Sequence, residues 1–347
     1  MARLLSLLFL TAILTNDSRH SILIEGASPF LSRSTTAAFA GFGSTSGSKN
    51  KNKNKKKSKN NQKTRPTVLP ITPLPPPQLD LSDPQDRMEH IANCIQRADV
   101  SSMGTTNDPN AICHFDNFLG CELITAMRKE AESLVPTMVP SQSTRWDEET
   151  QSVISYEKEG VLSTQLEGGP DGYAATPRLV EYVVTLTKHL AEKINAIVPA
   201  EYQLSGTQQT NKLAVCLGGG SKYDKHIDNL GGGDGNGSDR RKMTALLYLQ
   251  PPGSHADDAD QGENDSRGGY FRAYDVPEVD KVKVIAPRGD RLLLFWSDSL
   301  VHDVSPSFVL EEKDRRWALT VWFVAEEGGT IRATDAEIER RHFGTGG

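Results

Sequence analysis

The sequence predicts an α+β fold in which a β-barrel or jelly roll packs against helices that precede it in the chain. Two patterns carry this prediction. Apolar residues recur with the 3.6-residue helical period between residues 83 and 197, whereas short β-rich runs separated by turn residues begin at Lys212. The composition, 37% hydrophobic and 24% charged, is that of a globular protein in water.

The first 79 residues are predicted to be a targeting presequence followed by a disordered basic and Pro-rich linker. Arg3 precedes an apolar run at residues 4–14, which is too short to span a bilayer and has the length of the apolar part of a signal peptide. Residues 38–42 also resemble the bipartite plastid signals of algae. Entry into the endoplasmic reticulum or a plastid is therefore one expectation. The alternative is a disordered tail with a chance apolar start, in a cytoplasmic or nuclear protein.

Charge is unevenly distributed along the chain. Residues 49–65 hold eight Lys and one Arg, and no Asp or Glu occurs from residue 27 to residue 79. Without those nine cations the net charge of −6 becomes −15, so the folded part is acidic and is not expected to bind nucleic acid. The basic stretch remains a candidate tether to nucleic acid or anionic lipid, although a solvated presequence is the simpler explanation.

Three amphipathic helices are predicted within a helical support region at residues 80–210. They cover residues 83–98, 119–134 and 176–197. Thr176 and Pro177 are residue types preferred at the N-cap and the first helical position, which fixes the start of the third helix. The polar, Gly-rich stretch 141–175 is predicted to be loop or short strands.

Short strands are predicted for a core at residues 211–327, and a C-terminal tail follows at residues 328–347. The expected strands are residues 213–217, 243–249, 269–274, 282–285, 291–296 and 317–324. No internal repeat is visible, so the strands are expected to form a single barrel or jelly roll rather than a repeat array.

A candidate metal site begins with His226-Ile227-Asp228. Residues two apart on a strand face the same side, so His226 and Asp228 can reach one ion. His302, which follows the predicted strand 291–296, is the candidate third ligand. Two imidazoles and one carboxylate form the facial triad of non-haem Fe(II) oxygenases, whereas zinc prefers closed tetrahedral sites or three ligands plus water.

Arg316 opens the last predicted strand. Alternation places Arg316, Ala318, Thr320 and Trp322 on one face of that strand. A guanidinium buried there without an anion costs several kcal/mol. A dicarboxylate co-substrate supplies that anion, because Arg binds carboxylate in a bidentate fork. An edge-strand Arg that reaches solvent or an internal acid is the alternative.

Several segments resemble the oxygen-sensing prolyl hydroxylases that modify hypoxia-inducible factor. The most specific are DRLLLFWSD at 290–298, HDVSP at 302–306 and RWALTVWF at 316–323. Two more are YDKHIDN at 223–229, with Gly-Asp-Gly following at 233–235, and CHFDNFLG at 113–120. The resemblance covers residues 111–327.

This resemblance implies a double-stranded β-helix core and an enzyme that uses Fe(II), 2-oxoglutarate, O2 and L-ascorbate. The implied reaction is trans-4-hydroxylation of proline in a protein, with release of succinate and CO2. The implied partner is a protein that presents the proline in an extended segment, and the enzyme is expected to be a monomer. The implied site consists of the metal ligands His226, Asp228 and His302 and the co-substrate residues Arg316, Tyr248 and Thr320. Arg316 is implied to bind the distal carboxylate of 2-oxoglutarate, with help from the hydroxyl groups of the other two co-substrate residues.

Three departures from the family concern substrate and co-substrate binding. Cys216 stands where the human members have a tyrosine near the co-substrate, and the chain has extra residues at about 309–314 and a longer acidic insert at 252–267. Two alternatives therefore stay open. One is an oxygenase that acts on a small molecule or another side chain, and the other is an inactive binding module with the same fold. The intact set of candidate site residues argues against the binding module.

Overall fold

The computed structural model describes residues 80–147, 152–229, 239–251, 267–275, 278, 280–309, 311–332 and 342–343. All of these residues belong to one compact unit. The predicted presequence and linker lie outside the described residues, as do most of the acidic insert and of the C-terminal tail. Within the described part, no helix is both long and apolar enough to cross a membrane.

Four α-helices within the described residues form the helical layer. They are α1 (Pro84–Arg97), α2 (Cys121–Ser133), α3 (Gly169–Ala175) and α4 (Pro177–Asn195). The three predicted helices are confirmed as α1, α2 and α4. Asp83 caps α1 by accepting a hydrogen bond from the Gln85 amide at 2.8 Å, and Pro84 occupies the first turn, where its missing N–H costs nothing.

Eleven strands are present in the described residues. They are β1 (Ile112–Phe115), β2 (Val139–Asp147), β3 (Ser152–Thr164), β4 (Leu204–Cys216), β5 (Ser221–His226), β6 (Arg241–Tyr248), β7 (Phe271–Tyr274), β8 (Val282–Ile285), β9 (Leu292–Trp296), β10 (Val301–Ser307) and β11 (Arg316–Ala325).

The strands form two antiparallel sheets. The large sheet has the order β1-β9-β6-β11-β4-β3-β2 and the small sheet the order β5-β10-β7-β8. From β4 onward the chain passes repeatedly from one sheet to the other and back. Hydrogen-bonded neighbours are therefore distant in sequence, as in a jelly roll. The predicted double-stranded β-helix, packed against preceding helices, is confirmed.

The central strands of the large sheet are buried on both faces. One face packs against the helices, where Leu319 of β11 and Leu213 of β4 join Leu186 of α4 in the main hydrophobic core. The other face meets the small sheet, where Ala318 of β11 packs in a second cluster with Phe271 of β7. Alternate residues of β11 therefore face opposite sides, as the sequence predicts, and Thr320 and Trp322 face the space between the sheets.

The stretch 141–175 differs from the sequence prediction. Most of it forms the long strands β2 and β3, which extend the large sheet beside β4. Gly160, a turn former by composition, lies inside β3 with φ of 65°. A Cβ at this position would lie only 2.9 Å from the Cβ of Ser221 on β5. The glycine thus lets two strands approach each other and does not end one.

Candidate metal centre

Two histidines and an aspartate converge at the rim of the small sheet. His226 is the last residue of β5, and His302 on β10 is its direct partner across the strand pair. Nε2 of His226 lies 3.4 Å from Oδ1 of Asp228, and Nε2 of His302 lies 3.9 Å from the same oxygen. This is the one group of three or more His, Cys, Asp or Glu side chains with metal-binding spacing in the part of the chain that the structure describes.

Backbone carbonyls orient both imidazoles. Nδ1 of His226 donates to the Asp224 carbonyl at 2.7 Å, and Nδ1 of His302 donates to the Leu300 carbonyl at 3.1 Å. A ring that donates from Nδ1 keeps its lone pair on Nε2. In both rings that lone pair is on the nitrogen nearest Asp228.

Asp228 is oriented by two donors from the large sheet. The hydroxyl of Thr244 on β6 and the indole N–H of Trp322 on β11 donate to its Oδ2, at 2.7 and 3.0 Å. These two residues are neighbours across the β6–β11 pair, and Ser297 extends the network through the Thr244 hydroxyl at 2.7 Å. Oδ1 is left to face the imidazoles.

Burial and charge set the protonation of this cluster. Burial raises the pKa of Asp228, but its hydrogen bond with His226 and the positive charge that the histidines can carry outweigh burial, so the net shift is downward. Burial, followed by the charge of His226, lowers the pKa of His302 to about 4. At neutral pH Asp228 is therefore ionised and His302 neutral, the states in which these groups bind metals.

Aromatic side chains hold His302 in place. The ring of Phe271 stacks on it with centroids 5.0 Å apart, and Phe295 meets it edge-on at 4.8 Å. His302 is 5% exposed, whereas His226 is about one-third exposed at its side chain. The metal centre is thus reached from the His226 side.

Arg316 is the first residue of β11 and is only 3% exposed. Among the described residues no carboxylate forms an ion pair with it, and its Nε has no hydrogen-bond partner. Its guanidinium contacts the Tyr248 hydroxyl at 3.4 Å and lies over the rings of Tyr248 and Tyr223, at 5.0 and 5.8 Å from their centroids. A buried guanidinium with only neutral neighbours provides a binding site for an anion.

One cleft joins the metal cluster to Arg316. Its volume is about 650 Å³, and His226, Asp228, His302, Arg316 and Thr320 all line it. Tyr248 is fully buried beside the cleft and reaches it only through its contact with Arg316. Cys216 is also buried and is the direct partner of Arg316 in the β4–β11 pair. The structure therefore brings every predicted site residue to one place.

Residues 212–324 match the family model of the 2OG-Fe(II) oxygenase superfamily. Over these residues the chain is therefore similar to the 2OG-Fe(II) oxygenases. The match runs from the last residues of β4 to the penultimate residue of β11 and includes all three members of the metal cluster and Arg316.

Curated proteins similar to this chain include Egl nine homolog 1 of Rattus norvegicus, 27% identical over 238 residues, or 68% of this chain and 58% of the relative. The hypoxia-inducible factor prolyl hydroxylase of Caenorhabditis elegans is 31% identical over 163 residues, or 44% of this chain and 18% of the relative. The chain spans about half the length of the first of these relatives. A solved prolyl hydroxylase from Trichoplax adhaerens, in complex with a peptide fragment of the hypoxia-inducible factor oxygen degradation domain, shares 25% identity. It has a TM-score of 0.47, over 72% of this chain and 94% of that one. The resemblance to the prolyl hydroxylases is confirmed.

Sequence reasoning missed the donors that orient Asp228. The alternation of β11 placed Trp322 on the cleft face, but only the register of β6 against β11 brings Thr244 beside it. Sequence reasoning also missed Lys158 and Lys212, two lysines from β3 and β4 that line the cleft. Because β3 carries many polar residues, the sequence pattern did not predict it as a long strand. Its side chains in the cleft were therefore not predicted either.

Proposed function

We propose that this protein hydroxylates a prolyl residue of a protein substrate in an Fe(II)- and 2-oxoglutarate-dependent reaction that releases succinate and CO2. The observation that carries the proposal is the buried guanidinium of Arg316, which has no anionic partner in the part of the chain that the structure describes. It lies in the same cleft as His226, Asp228 and His302. We assign the last three as the iron ligands and Arg316 as the ligand of the distal carboxylate of 2-oxoglutarate.

The donor atoms fit Fe(II). Two imidazole nitrogens and one carboxylate oxygen lie within 4.8 Å of one another, and their hydrogen bonds fix the tautomers and the free oxygen that a metal requires. Fe(II) and 2-oxoglutarate would together activate O2, the oxidant: one oxygen atom would enter an unactivated C–H bond, and the other would enter succinate as 2-oxoglutarate loses CO2. L-Ascorbate is proposed as the reductant that keeps the iron in the Fe(II) state.

The protein's own side chains position the reactants. Arg316 binds the distal carboxylate of 2-oxoglutarate with its planar fork, and the Tyr248 hydroxyl adds a further polar contact beside it. The Thr320 hydroxyl faces the same space. Thr244 and Trp322 keep Asp228 in one orientation, so the iron ligand does not have to be reorganised when substrates bind.

Access to the cleft supports a polypeptide substrate. The cleft runs from buried His302 to Gln142 on β2 and Ser155 on β3, both of which are exposed. Its volume of about 650 Å³ is larger than one five-carbon dicarboxylate fills. An extended segment of a protein therefore has a path to the metal centre. Relatives whose names are those of prolyl hydroxylases point to proline as the residue that is modified.

Mass spectrometry of proline-containing peptides tests this function. Peptides incubated with the enzyme, Fe(II), 2-oxoglutarate and ascorbate in air should gain one oxygen atom on proline, with succinate formed in equal amount. A reaction without Fe(II) and one with His302→Ala serve as controls and should yield neither product. Turnover of small molecules with no oxidised peptide would contradict the protein substrate, and the absence of all 2-oxoglutarate turnover would contradict the enzyme.

A further inference from the structure

The cleft carries a marked excess of positive charge. Its cationic lining side chains are Lys158, Lys212, Lys225, Arg241 and Arg316. Among the described residues that line it, the only carboxylate is that of Asp228, which the proposed function assigns to iron. This positive interior contrasts with the acidic balance of the folded part as a whole.

Three of these cations already have partners or roles. Arg316 is assigned to 2-oxoglutarate. Arg241 forms an ion pair with Asp239 at 2.6 Å. Lys225 lies over the Tyr274 ring, with Nζ 3.9 Å from the centroid.

Lys158 and Lys212 have no directly bound anion among the described residues, and the charge of Asp228, the proposed iron ligand, attracts both from within the cleft. Both are partly buried, and neither forms an ion pair with a described residue. Lys158 contacts the Tyr223 ring with its Nζ 4.0 Å from the centroid, and Lys212 is the direct strand partner of Thr320. Elsewhere in this protein a buried lysine forms an ion pair: Nζ of Lys242 lies 2.8 Å from Oδ2 of Asp298.

The two ammonium groups also repel each other. Burial, followed by the charge of Lys212, lowers the pKa of Lys158 to about 7. Two partly desolvated cations in one cleft destabilise each other, and an anion bound to both removes that cost. The pair is therefore arranged to receive negative charge.

We propose that Lys158 and Lys212 form a subsite that binds the carboxylate of an Asp or Glu side chain near the target proline of the substrate. The proposal rests on the proposed function. The subsite borders the co-substrate site, because the Tyr223 ring lies against both Lys158 and Arg316. The distal carboxylate of 2-oxoglutarate is already assigned to Arg316, so we take the substrate as the source of the acid.

Paired peptides test the subsite. One set carries a single Asp, moved one position at a time along either side of the proline, and the matched set carries Asn at the same positions. At one or two positions the Asp peptide should be used about tenfold or more better in kcat/KM, the effect of one charge-assisted hydrogen bond. Binding of the same peptides to the enzyme loaded with Fe(II) and 2-oxoglutarate, measured without O2, should show the same preference.

Lysine variants test the assignment. In Lys158→Gln and Lys212→Gln the preference for Asp over Asn should fall to near unity, while the KM for 2-oxoglutarate stays unchanged. Lys222→Gln is the matched control, because this exposed lysine pairs with Asp224 at 3.0 Å and does not line the cleft. It should keep the full preference. Lys212→Glu should prefer a peptide that carries Lys, instead of Asp, at the same position. Such a reversed preference would show that the variant is folded.

The outcomes separate the two proposals. Hydroxylation of Asp and Asn peptides with equal kcat/KM would overturn the subsite and leave the proposed function intact. A raised KM for 2-oxoglutarate in the lysine variants, with the peptide preference retained, would assign the lysines to the co-substrate and also overturn the subsite. Binding that prefers Asp, without oxygen added to proline, would support the subsite and contradict prolyl hydroxylation.

Discussion

At the scale of single residues, Asp228 depends on side chains that bind no metal themselves. Its Oδ2 accepts hydrogen bonds from Thr244 and Trp322, and this leaves Oδ1 to face His226 and His302. A carboxylate that keeps one orientation loses less entropy when it binds an ion. The large sheet therefore sets the orientation of the proposed ligand Asp228, although the other two proposed ligands belong to the small sheet.

Trp322→Phe removes one of these donors and keeps an aromatic ring in the same place. We expect Fe(II) affinity to fall by about 10- to 100-fold, the usual cost of losing a hydrogen bond that orients a metal ligand. Metal titration of the purified variant measures this loss.

The matched control is Trp317→Phe on the same strand. Trp317 faces the helices, and its indole N–H has no hydrogen-bond partner among the described residues. Fe(II) affinity should be unchanged in this variant. An equal loss in both variants would show that the effect comes from packing of β11 and not from the bond to Asp228.

At the scale of elements, the strands that carry the site were predictable where burial leaves a periodic apolar pattern. The β11 segment shows this, since its alternation separates Thr320 and Trp322 from Leu319 and locates Arg316 on the cleft face. Strands β2 and β3 were not predictable, because they lie toward the outer edge of the sheet and carry many polar residues. Neither the β-propensity of the residues nor the period of the apolar pattern predicts such strands. The pairing of β3 with β4, and of β2 with β3, decides their conformation.

The same limit applies to the contacts that tune the site. The bond from Thr244 to Asp228 exists because β6 and β11 pair in one register, which places Thr244 opposite Trp322. No local pattern in the sequence encodes that register. The metal cluster was predictable because its residue types are chemically distinctive, whereas the donors around it are ordinary residue types in unusual positions.

Gly160 provides a stability test at this scale. Gly160→Ala forces a side chain onto a residue with φ of 65° and brings its Cβ to 2.9 Å from that of Ser221. We expect the free energy of unfolding to fall by about 1–3 kcal/mol, as for a residue forced into a rarely populated conformation. Urea denaturation monitored by fluorescence measures this change.

Gly206→Ala is the control on the adjacent strand. Gly206 lies in β4 with no positive φ, and a Cβ there meets nothing within 4 Å. Its effect on the free energy of unfolding should stay within about 0.5 kcal/mol, the usual range for a surface substitution. Equal destabilisation by the two substitutions would mean that Gly160 has no special role in the approach of β3 to β5.

At the scale of the whole molecule, the site is divided between the two sheets. His226 and His302 come from β5 and β10 of the small sheet, and Arg316 comes from β11 of the large sheet. The helices pack on the other face of the large sheet and do not line the cleft. The fold thus holds the proposed iron ligands and the proposed ligand of 2-oxoglutarate in one cleft, and we expect that each can be disabled separately.

Independent titration of Fe(II) and 2-oxoglutarate in two variants tests this division most directly. His302→Ala removes an iron ligand, and Arg316→Ala removes the partner of a buried carboxylate. Removing one member of a buried charge pair costs about 3–5 kcal/mol, a loss of roughly a hundred- to several-thousand-fold in 2-oxoglutarate affinity. Arg316→Lys should recover only part of it, because an ammonium does not reproduce the planar fork.

The account predicts that Arg316→Ala binds Fe(II) as the unchanged protein does and binds 2-oxoglutarate poorly, whereas His302→Ala loses Fe(II) binding and remains folded. Circular dichroism of each variant confirms the fold before titration. Retention of full 2-oxoglutarate affinity in Arg316→Ala, or of full Fe(II) affinity in His302→Ala, would contradict the assignment of the site.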